Sequence, residues 1–274
     1  MNGKSGRGEE WTSGKWEDER TTGMTRTMEY DKLLIAIIMK NIRIILSMLI
    51  CVATAQTVVA QTTVKYDLPA FTEISLKNDA KLILKQDSVQ SVTVTARQTT
   101  IDKLIVEVGD RKLTIRYPGD AWFDSKWSPG EVVIKVSMPQ IDELSQSGSG
   151  SIVAEQPISS RILDLYVGGS GAINLASLKA DKISATLSGS GQMRLAGEGT
   201  VSECRMILTG SGGIKASGLK SKLVDVIIAG SGNCAVHSLE SLKCKIVGSG
   251  NVTYQGNPAI ETTIVGSGTV KEGK

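Results

Sequence analysis

Apolar and polar residues alternate through the second half of the chain in blocks that recur about every 20 residues. In each block the positions two, four and six residues before a Gly-Ser-Gly tripeptide are mostly apolar, as in Leu163, Leu165 and Val167. Such period-two alternation predicts a strand with one buried face. The tripeptides begin at Gly148, Gly169, Gly189, Gly210, Gly230, Gly248 and Gly266.

A second apolar column follows each tripeptide. It lies four residues after the first glycine and includes Ile173 and Ile214, and a weaker third column contains Leu178, Leu219 and Leu239. Each block therefore predicts a strand, a corner, a second strand, a turn and a short third side. Because so short a repeat cannot bury its own apolar face, the repeats must stack. The pattern predicts an all-β fold, a right-handed parallel β-helix with coils of about 20 residues.

The Gly-Ser-Gly corners have a structural interpretation. Glycine adopts a positive φ without penalty and allows stacked corners to approach closely. With coils about 4.8 Å apart, we expect the serine hydroxyls to hydrogen-bond along a ladder. A ligand-binding ridge is the alternative. The serines are Ser149, Ser170, Ser190, Ser211, Ser231, Ser249 and Ser267.

Residues 61–140 lack the tripeptide but also favour strands. Alternating or β-branched runs at 74–84, 89–96, 104–108, 113–117 and 132–138 are separated by turn residues. Because the terminal repeats of a solenoid must close its core, we expect this part to continue or cap the stack. The expectation is a single domain over residues 61–274, with an N-terminal β part at 61–140 and a repeat part at 141–274.

The first 60 residues have a different character. Residues 1–38 open with a polar, charge-rich stretch, and we interpret them as a mis-called start or an extension. From Met39, a basic segment, an apolar run at 44–52 and small residues up to Ala60 form the pattern of a signal peptide at 39–60. Cleavage is expected after Ala60 or Ala55. A membrane anchor that joins 33–38 to the later run is the alternative, although Lys40 and Arg43 interrupt it.

Charge and cysteine content exclude some functions. Residues 1–60 contain eight of the 31 Lys and Arg and seven of the 28 Asp and Glu, which leaves 23 against 21, a net charge near +2. This balance predicts no preference for nucleic acid. Cys204, Cys234 and Cys244 fall in inward columns, where they are expected to pack as small hydrophobic residues rather than to bind metal. No metal and no cofactor are predicted.

The pattern gives little support for catalysis. Enzymes on parallel β-helices need clustered carboxylates on an exposed face, whereas the outward charges here mix signs, as at Asp164, Arg205 and Glu261. His237 is the single histidine, and no nucleophile elbow accompanies it. We expect no enzyme. A carbohydrate-active, pectinase-like β-helix enzyme is the alternative.

One segment concentrates aromatic residues beside carboxylates. Residues 119–130 contain Asp120, Trp122, Phe123, Asp124 and Trp127. Indole faces flanked by acids suit sugar rings, which supports a ligand or partner contact. The alternative is a cap that closes the stack.

The order of these motifs resembles the GIN-domain putative adhesin family, described as a head region of autotransporter-type adhesins. The resemblance rests on the strands after Phe71, on the Leu113-Thr114-Ile115 strand and on the repeated Gly-Ser-Gly-x-Ile/Val pattern. The stretch 171–174, Gly-Ala-Ile-Asn, is similar to the motif that gives the domain its name. The resemblance covers residues 62–272.

The resemblance implies an exported all-β protein of the Bacteroidetes type with an adhesive role. We therefore predict a cell-envelope adhesin or binding module without catalysis, in the periplasm, on the outer membrane surface or outside the cell. A glycan or a host or cell-surface protein is the expected partner, and no membrane span is expected in the mature chain. A structural envelope protein that assembles into a homo-oligomer through coil edges is a further alternative.

Overall fold

A computed structural model of the protein describes residues 38–42, 61–119 and 128–273. The chain divides into a unit at Met1–Val59 and a unit at Ala60–Lys274. In the first unit, residues 38–42 are helical and exposed. The rest of the predicted signal peptide lies outside the described residues, so secretion and a start at Met39 stay predictions. In the part of the chain that the structure describes, no helix combines the length and the apolar character that crossing a membrane requires.

The second unit is a β-solenoid. Its strands are β1 (Gln61–Tyr66), β2 (Glu73–Lys77), β3 (Lys81–Gln86), β4 (Ser91–Arg97), β5 (Ile105–Gly109), β6 (Lys112–Arg116), β7 (Val133–Met138), β8 (Glu143–Gly148), β9 (Ser151–Ala154), β10 (Ile158–Gly169), β11 (Ala172–Gly189), β12 (Gln192–Gly197), β13 (Val201–Gly210), β14 (Gly213–Gly230), β15 (Asn233–Gly248), β16 (Asn251–Gln255), β17 (Ala259–Gly266) and β18 (Thr269–Glu272). A single helical turn, Gln98–Ile101, follows β4.

Parallel strands stack the repeats in register. Val167 pairs with Leu187, Leu187 with Leu208, and Leu208 with Ile228. All four side chains are buried in one continuous core. The predicted solenoid, with about six turns at a spacing of roughly 20 residues, is therefore confirmed. The right-handed sense of the coil stays a prediction.

The strand segments that end at the Gly-Ser-Gly corners form one side of the solenoid, here called the first face. It contains β6, β2, β8, β10, the second half of β11, β13, the second halves of β14 and β15, and β17. The segments that follow the corners form the second face. Side chains at alternate positions of either face point into the shared core or outward to solvent.

Backbone geometry explains the glycines at the corners. The first glycine of each tripeptide has φ between +92° and +128°. A Cβ atom added to Gly210 would lie 2.5 Å from the carbonyl oxygen of Gly189 in the preceding coil. Glycine is the one amino acid that can adopt this left-handed conformation and also allow so close an approach between coils.

The N-terminal strands both extend and close the stack. The β2 and β3 coil lies between the β8 and β9 coil and a coil made of β6 and β7, so the spatial order of these coils differs from the chain order. At the outer side, β5 runs antiparallel to β6, and β4 runs antiparallel to both β7 and β1. The two roles expected for residues 61–140 therefore occur together. The predicted domain limits themselves stay predictions.

The third side differs from its prediction in two ways. It is continuous with its neighbours in β11, β14 and β15, which run through the expected turn with shifts of register. The predicted third apolar column is also not buried throughout, because Leu239 is 37% exposed whereas Leu219 is 2% exposed. The coil after Gly230 is shorter than the one before it. As a result, Ser238 occupies the interior, and its hydroxyl donates a hydrogen bond to the Ser241 carbonyl oxygen at 2.8 Å.

Candidate functional site

A column of mostly charged side chains crosses the outward side of the first face. The charged side chains, whose signs follow no order along the sequence, form ion pairs between neighbouring coils. The Arg205 and Asp225 side chains lie 3.7 Å apart, and those of Lys243 and Glu261 lie 3.4 Å apart. Most of this column is therefore self-compensated. In spatial order it reads Lys112, Glu73, Glu143, Asp164, Ser184, Arg205, Asp225, Lys243 and Glu261.

Three carboxylates are neighbours at one end of the column. Lys112 Nζ lies 3.0 Å from Glu73 Oε2 and 3.0 Å from Glu143 Oε1, and these hydrogen bonds raise the pKa of Lys112. Asp164 follows on the next strand, and its pKa is raised by partial burial and then by the charges of Glu143 and Glu73. The carboxylates project from adjacent strands, and the ammonium group of Lys112 bonds two of them.

Five aliphatic side chains form a contiguous exposed area beside the charged column. Ile207 pairs with Ile227 across neighbouring strands, and Ala229 pairs with Val247, which pairs with Val265. Ile227 and Ala229 are two residues apart and therefore share the outward side of β14. Ile207 and Ile227 are half-buried, Ala229 is exposed, and Val247 and Val265 are 47% and 61% exposed. We call these five residues the aliphatic patch.

The third side carries a depression of about 410 Å³. It lies where the loop at residues 198–200 separates β12 from β13, beside Lys220 and His237, which pair in register on β14 and β15. The loop contains Gly199 with φ of +86°. Among the residues that line the depression, Glu198 is the one carboxylate. Glycoside hydrolysis needs two carboxyl groups. The lining is polar, and consists of Gly197, Glu198, Gly199, Thr200, Ser217, Gly218, Lys220 and His237.

The three cysteines of the second unit are buried, as their inward columns indicate. Burial raises the pKa of Cys204 and of Cys244 to about 12 and also raises the pKa of Cys234. Cys234 Sγ lies 3.5 Å from Met206 Sδ. These thiols are protonated at neutral pH and are poor nucleophiles. Among the residues that the structure describes, no group of three or more His, Cys, Asp or Glu could hold a metal ion.

The corner serines are exposed, and the hydrogen bonds between successive corners come from the backbone. The amide of Ser170 donates to the Gly148 carbonyl oxygen at 3.0 Å, and the amide of Ser231 donates to the Gly210 carbonyl oxygen at 2.9 Å. The predicted ladder of serine hydroxyl bonds stays a prediction, as does the alternative of a ligand-binding ridge. All seven corner serines are exposed, namely Ser149, Ser170, Ser190, Ser211, Ser231, Ser249 and Ser267.

One prediction from the sequence concerns the aromatic segment at residues 119–130. Asp120, Trp122, Phe123, Asp124 and Trp127 lie outside the described residues, between β6 and β7 in the chain. Its interpretation as a cap or as a glycan contact stays a prediction.

Sequence reasoning missed the aliphatic patch. Its signal was present, because Ile207 and Ile227 occupy an outward position where the neighbouring blocks have Tyr166, Thr186 or Lys245. Judged block by block, an apolar residue at a single outward position is unremarkable in a strand. Only the register between coils shows that the apolar residues adjoin.

Three of the solved structures that this chain resembles come from Bacteroides and Parabacteroides species. A putative adhesin from Bacteroides fragilis is 22% identical, with a TM-score of 0.71 over 78% of this chain and 97% of that one. A putative adhesin from Parabacteroides distasonis is 26% identical, with a TM-score of 0.63 and the same coverage. A structure named as a putative lipid binding protein, also from Parabacteroides distasonis, is 25% identical, with a TM-score of 0.63 over 78% and 97% of the two chains. The first of these likenesses supports the fold alone.

A match to a family model shows which protein family the chain belongs to. No protein with a curated description matches the chain significantly. Residues 70–258 match the model described as "Putative auto-transporter adhesin, head GIN domain". This match covers more than half of the chain and includes the corners from Gly148 to Gly248. The chain therefore belongs to the GIN head-domain family of putative auto-transporter adhesins.

Proposed function

We propose that this chain is an exported, non-catalytic adhesin domain that binds a protein surface through the aliphatic patch. The observation that carries the proposal is the contiguity of Ile207, Ile227, Ala229, Val247 and Val265 on the outward side of the first face. Contiguous exposed apolar areas on soluble proteins mark interaction sites. Membership of an adhesin family supports the same function.

The patch is not part of the folding core. The inward neighbours of its residues, such as Leu208, Ile228 and Ile246, fill the solenoid and are at most 1% exposed. The outward side of this solenoid face is exposed to solvent, so its aliphatic side chains are available to a partner without any change in the core. Removal of the patch side chains should therefore affect binding more than stability.

The surroundings of the patch favour a protein partner over a bare glycan. Lys245 adjoins Ile227, and the ion-paired column with Arg205, Asp225 and Lys243 runs beside it. An apolar centre with a polar rim is the usual anatomy of a protein interface. Because the rim charges are mostly paired within the chain, we expect binding to depend on apolar burial and to change little with salt.

Matched variants test this assignment. The patch variant carries Ile207→Thr and Ile227→Thr, and the control carries Ile162→Thr and Leu223→Thr, which are 44% and 48% exposed on the same face. Threonine is β-branched and preserves strand propensity. Purified proteins are screened against immobilised matrix and cell-surface proteins, a glycan array and phosphatidylcholine vesicles, and their melting temperatures are compared.

We expect retention on a protein ligand, a loss of at least about tenfold in affinity for the patch variant, and unchanged binding for the control. The absence of any protein ligand, binding to glycans or vesicles alone, or equal binding of both variants would overturn the proposal. Binding to glycans alone would favour the polar depression at Glu198, Lys220 and His237 or the segment at 120–127.

Export is a separate part of the proposal. It is supported by the family and by the basic and apolar pattern that begins at Met39. The intact mass of the protein recovered from the envelope fraction should match a chain that begins at Gln61 or Gln56. Recovery of peptides from before Met39 in that protein would contradict export by this signal.

A further inference from the structure

The second face of the solenoid exposes positive charges that are not paired within the chain. Most charges of the first face form ion pairs between neighbouring coils, whereas no ion pair is found within the described residues for five cations on the outward side of the second face. This face is therefore suited to attract an anion. The five are Lys81, Lys135, Arg194, Lys215 and Lys271, all exposed.

Two of these cations are direct neighbours. Arg194 and Lys215 are register partners on β12 and β14, so their Cα atoms lie about 4.8 Å apart. The next residues in the same row, Asn174 and Ala235, carry no charge. Like charges directly opposite each other in a sheet are unfavourable. An anion bound between the two side chains would offset this repulsion.

The polar depression on the third side adjoins this pair. Lys215 stands two positions before Ser217, which lines the depression, and both are exposed on β14. Arg194 stands two positions before Ala196, and Gly218, the register partner of Ala196, also lines it. The two cations are therefore at the border of a concave polar surface.

Lys220 adds a third cation, in the lining of the depression itself. Two carboxylates of the adjoining coils have other partners. Glu203 is bound by Lys182 at 2.8 Å, and Glu240 lies 3.6 Å from Lys222. Among the described side chains, Lys220 has no carboxylate partner within ion-pair distance. Its ammonium group is therefore available to a ligand.

We propose that the depression, together with Arg194 and Lys215, binds an acidic glycan, a sugar chain that carries carboxylate groups. The three cations bind the carboxylates, since Arg and Lys form charge-assisted hydrogen bonds with such groups. The Glu198 carboxylate accepts hydrogen bonds from sugar hydroxyls, and the hydroxyl of Ser217 both donates and accepts them. The loop at 198–200, which leaves the sheet between β12 and β13, forms one wall.

The lining favours a glycan over other polyanions. Proteins that bind single-stranded nucleic acid stack its bases on aromatic side chains, and none of the described residues that line the depression is aromatic. Glu198 would repel a phosphate, whereas it suits a ligand rich in hydroxyl groups. A bilayer surface is flat, whereas Lys220 lies in a depression of about 410 Å³. The site is separate from the aliphatic patch on the first face, so this proposal does not depend on the proposed function.

A pair of matched ligands tests the charge requirement. The full chain is titrated with an oligogalacturonate and with the methyl-esterified form of the same oligosaccharide, which has the same sugar backbone without the charge. Because the cations are exposed, we expect weak binding of the charged form, with a dissociation constant on the order of 100 μM. This binding should weaken as salt is raised, unlike binding at the aliphatic patch.

Matched variants test the location. Lys215→Gln with Lys220→Gln should weaken binding by at least about tenfold. The control, Lys81→Gln with Lys135→Gln, removes the same charge from the same face on the N-terminal coils and should change binding by less than about twofold. Lys215→Arg with Lys220→Arg retains the charge and should retain binding. The melting temperature of the Gln variant should be unchanged or higher, because Lys215 no longer opposes Arg194.

Equal losses in the two Gln variants would show attraction to the overall charge alone and would overturn the proposal. So would equal binding of the charged and esterified oligosaccharides, or no binding of the charged form at about 5 mM, well above the expected dissociation constant. Binding to single-stranded DNA or to phosphatidylglycerol vesicles without binding to the oligogalacturonate would assign these cations to another polyanion and would also reject the proposal.

Discussion

The backbone amide of Ser211 donates a hydrogen bond to the carbonyl oxygen of Gly189, 3.0 Å away in the preceding coil. The approach is this close because neither Gly189 nor Gly210 has a side chain at the corner. The corners therefore restrict each repeat to one vertical register. That register also determines which outward residues adjoin, including those of the aliphatic patch.

Alanine substitutions separate the two roles of the corner glycines. Gly210→Ala combines a positive φ with a Cβ clash and should cost about 3 kcal/mol. Gly212→Ala has the clash alone, 2.5 Å from the Gly191 oxygen, and should cost about 2 kcal/mol. Gly199→Ala has φ of +86° in open space and should cost about 1 kcal/mol. Chemical denaturation measures each value.

The control for this series is Gly109→Ala, where an added Cβ would meet nothing within 4 Å. Its effect should stay within about 0.5 kcal/mol. A Gly210→Ala variant as stable as Gly109→Ala would show that the corners do not determine the stacking.

The shortened coil predicts different costs at two leucines that the sequence pattern places in the same column. Leu219→Ala removes a side chain that is 2% exposed and should cost about 2 to 4 kcal/mol. Leu239→Ala removes one that is 37% exposed and should cost less than about 1 kcal/mol. Equal free energies of unfolding for the two variants would contradict the observed register of β15.

Lys112 should stabilise the N-terminal part of the stack by bonding Glu73 and Glu143. Lys112→Gln removes both ion pairs, so we expect a loss of about 1 kcal/mol at pH 7. The raised pKa of Lys112 means that this contribution is complete below the ordinary lysine pKa and is lost as pH rises through the folded value. The comparison is Lys222→Gln, whose exposed pair with Glu240 spans 3.6 Å. A larger loss for Lys222→Gln would refute the assignment.

Asp164 should destabilise the fold slightly at neutral pH. Its pKa is raised by partial burial and by Glu143 and Glu73, so stability falls as pH rises from its ordinary value through the folded one. Asp164→Asn should therefore be more stable than the wild type at pH 7 by a few tenths of a kcal/mol. Urea denaturation at pH 7 and at pH 3 checks this, and the advantage should disappear at pH 3. If Asp164→Asn were more stable than the wild type at pH 3 alone, the pH dependence would have the opposite sign and the explanation would be rejected.

The stacking could be predicted because its cause repeats in the sequence. Val167, Leu187 and Leu208 stand at equal distances before a glycine corner, and the structure places them side by side. The exposure of Leu239 could not be predicted from that column, because it depends on how a shorter coil closes around Ser238.

The order of the N-terminal coils also could not be predicted from the alternation of apolar and polar residues. The insertion of β2 and β3 between β8–β9 and β6–β7 depends on which of several similar strands pair, and alternation alone does not specify the partner. The patch was missed for the related reason that Ile227 and Val247 adjoin only through tertiary register.

The binding face depends on the register between coils, and the formation of a disulfide between paired positions measures that register most directly. Ile207→Cys combined with Ile227→Cys places two thiols on register partners in neighbouring strands, about 4.8 Å apart at Cα. Ile207→Cys combined with Ala229→Cys moves the second thiol one outward position along the strand, to about 8 Å, beyond the reach of a disulfide. The account predicts rapid intramolecular oxidation of the first pair and little of the second. Equal rates, or faster oxidation of the second pair, would contradict it.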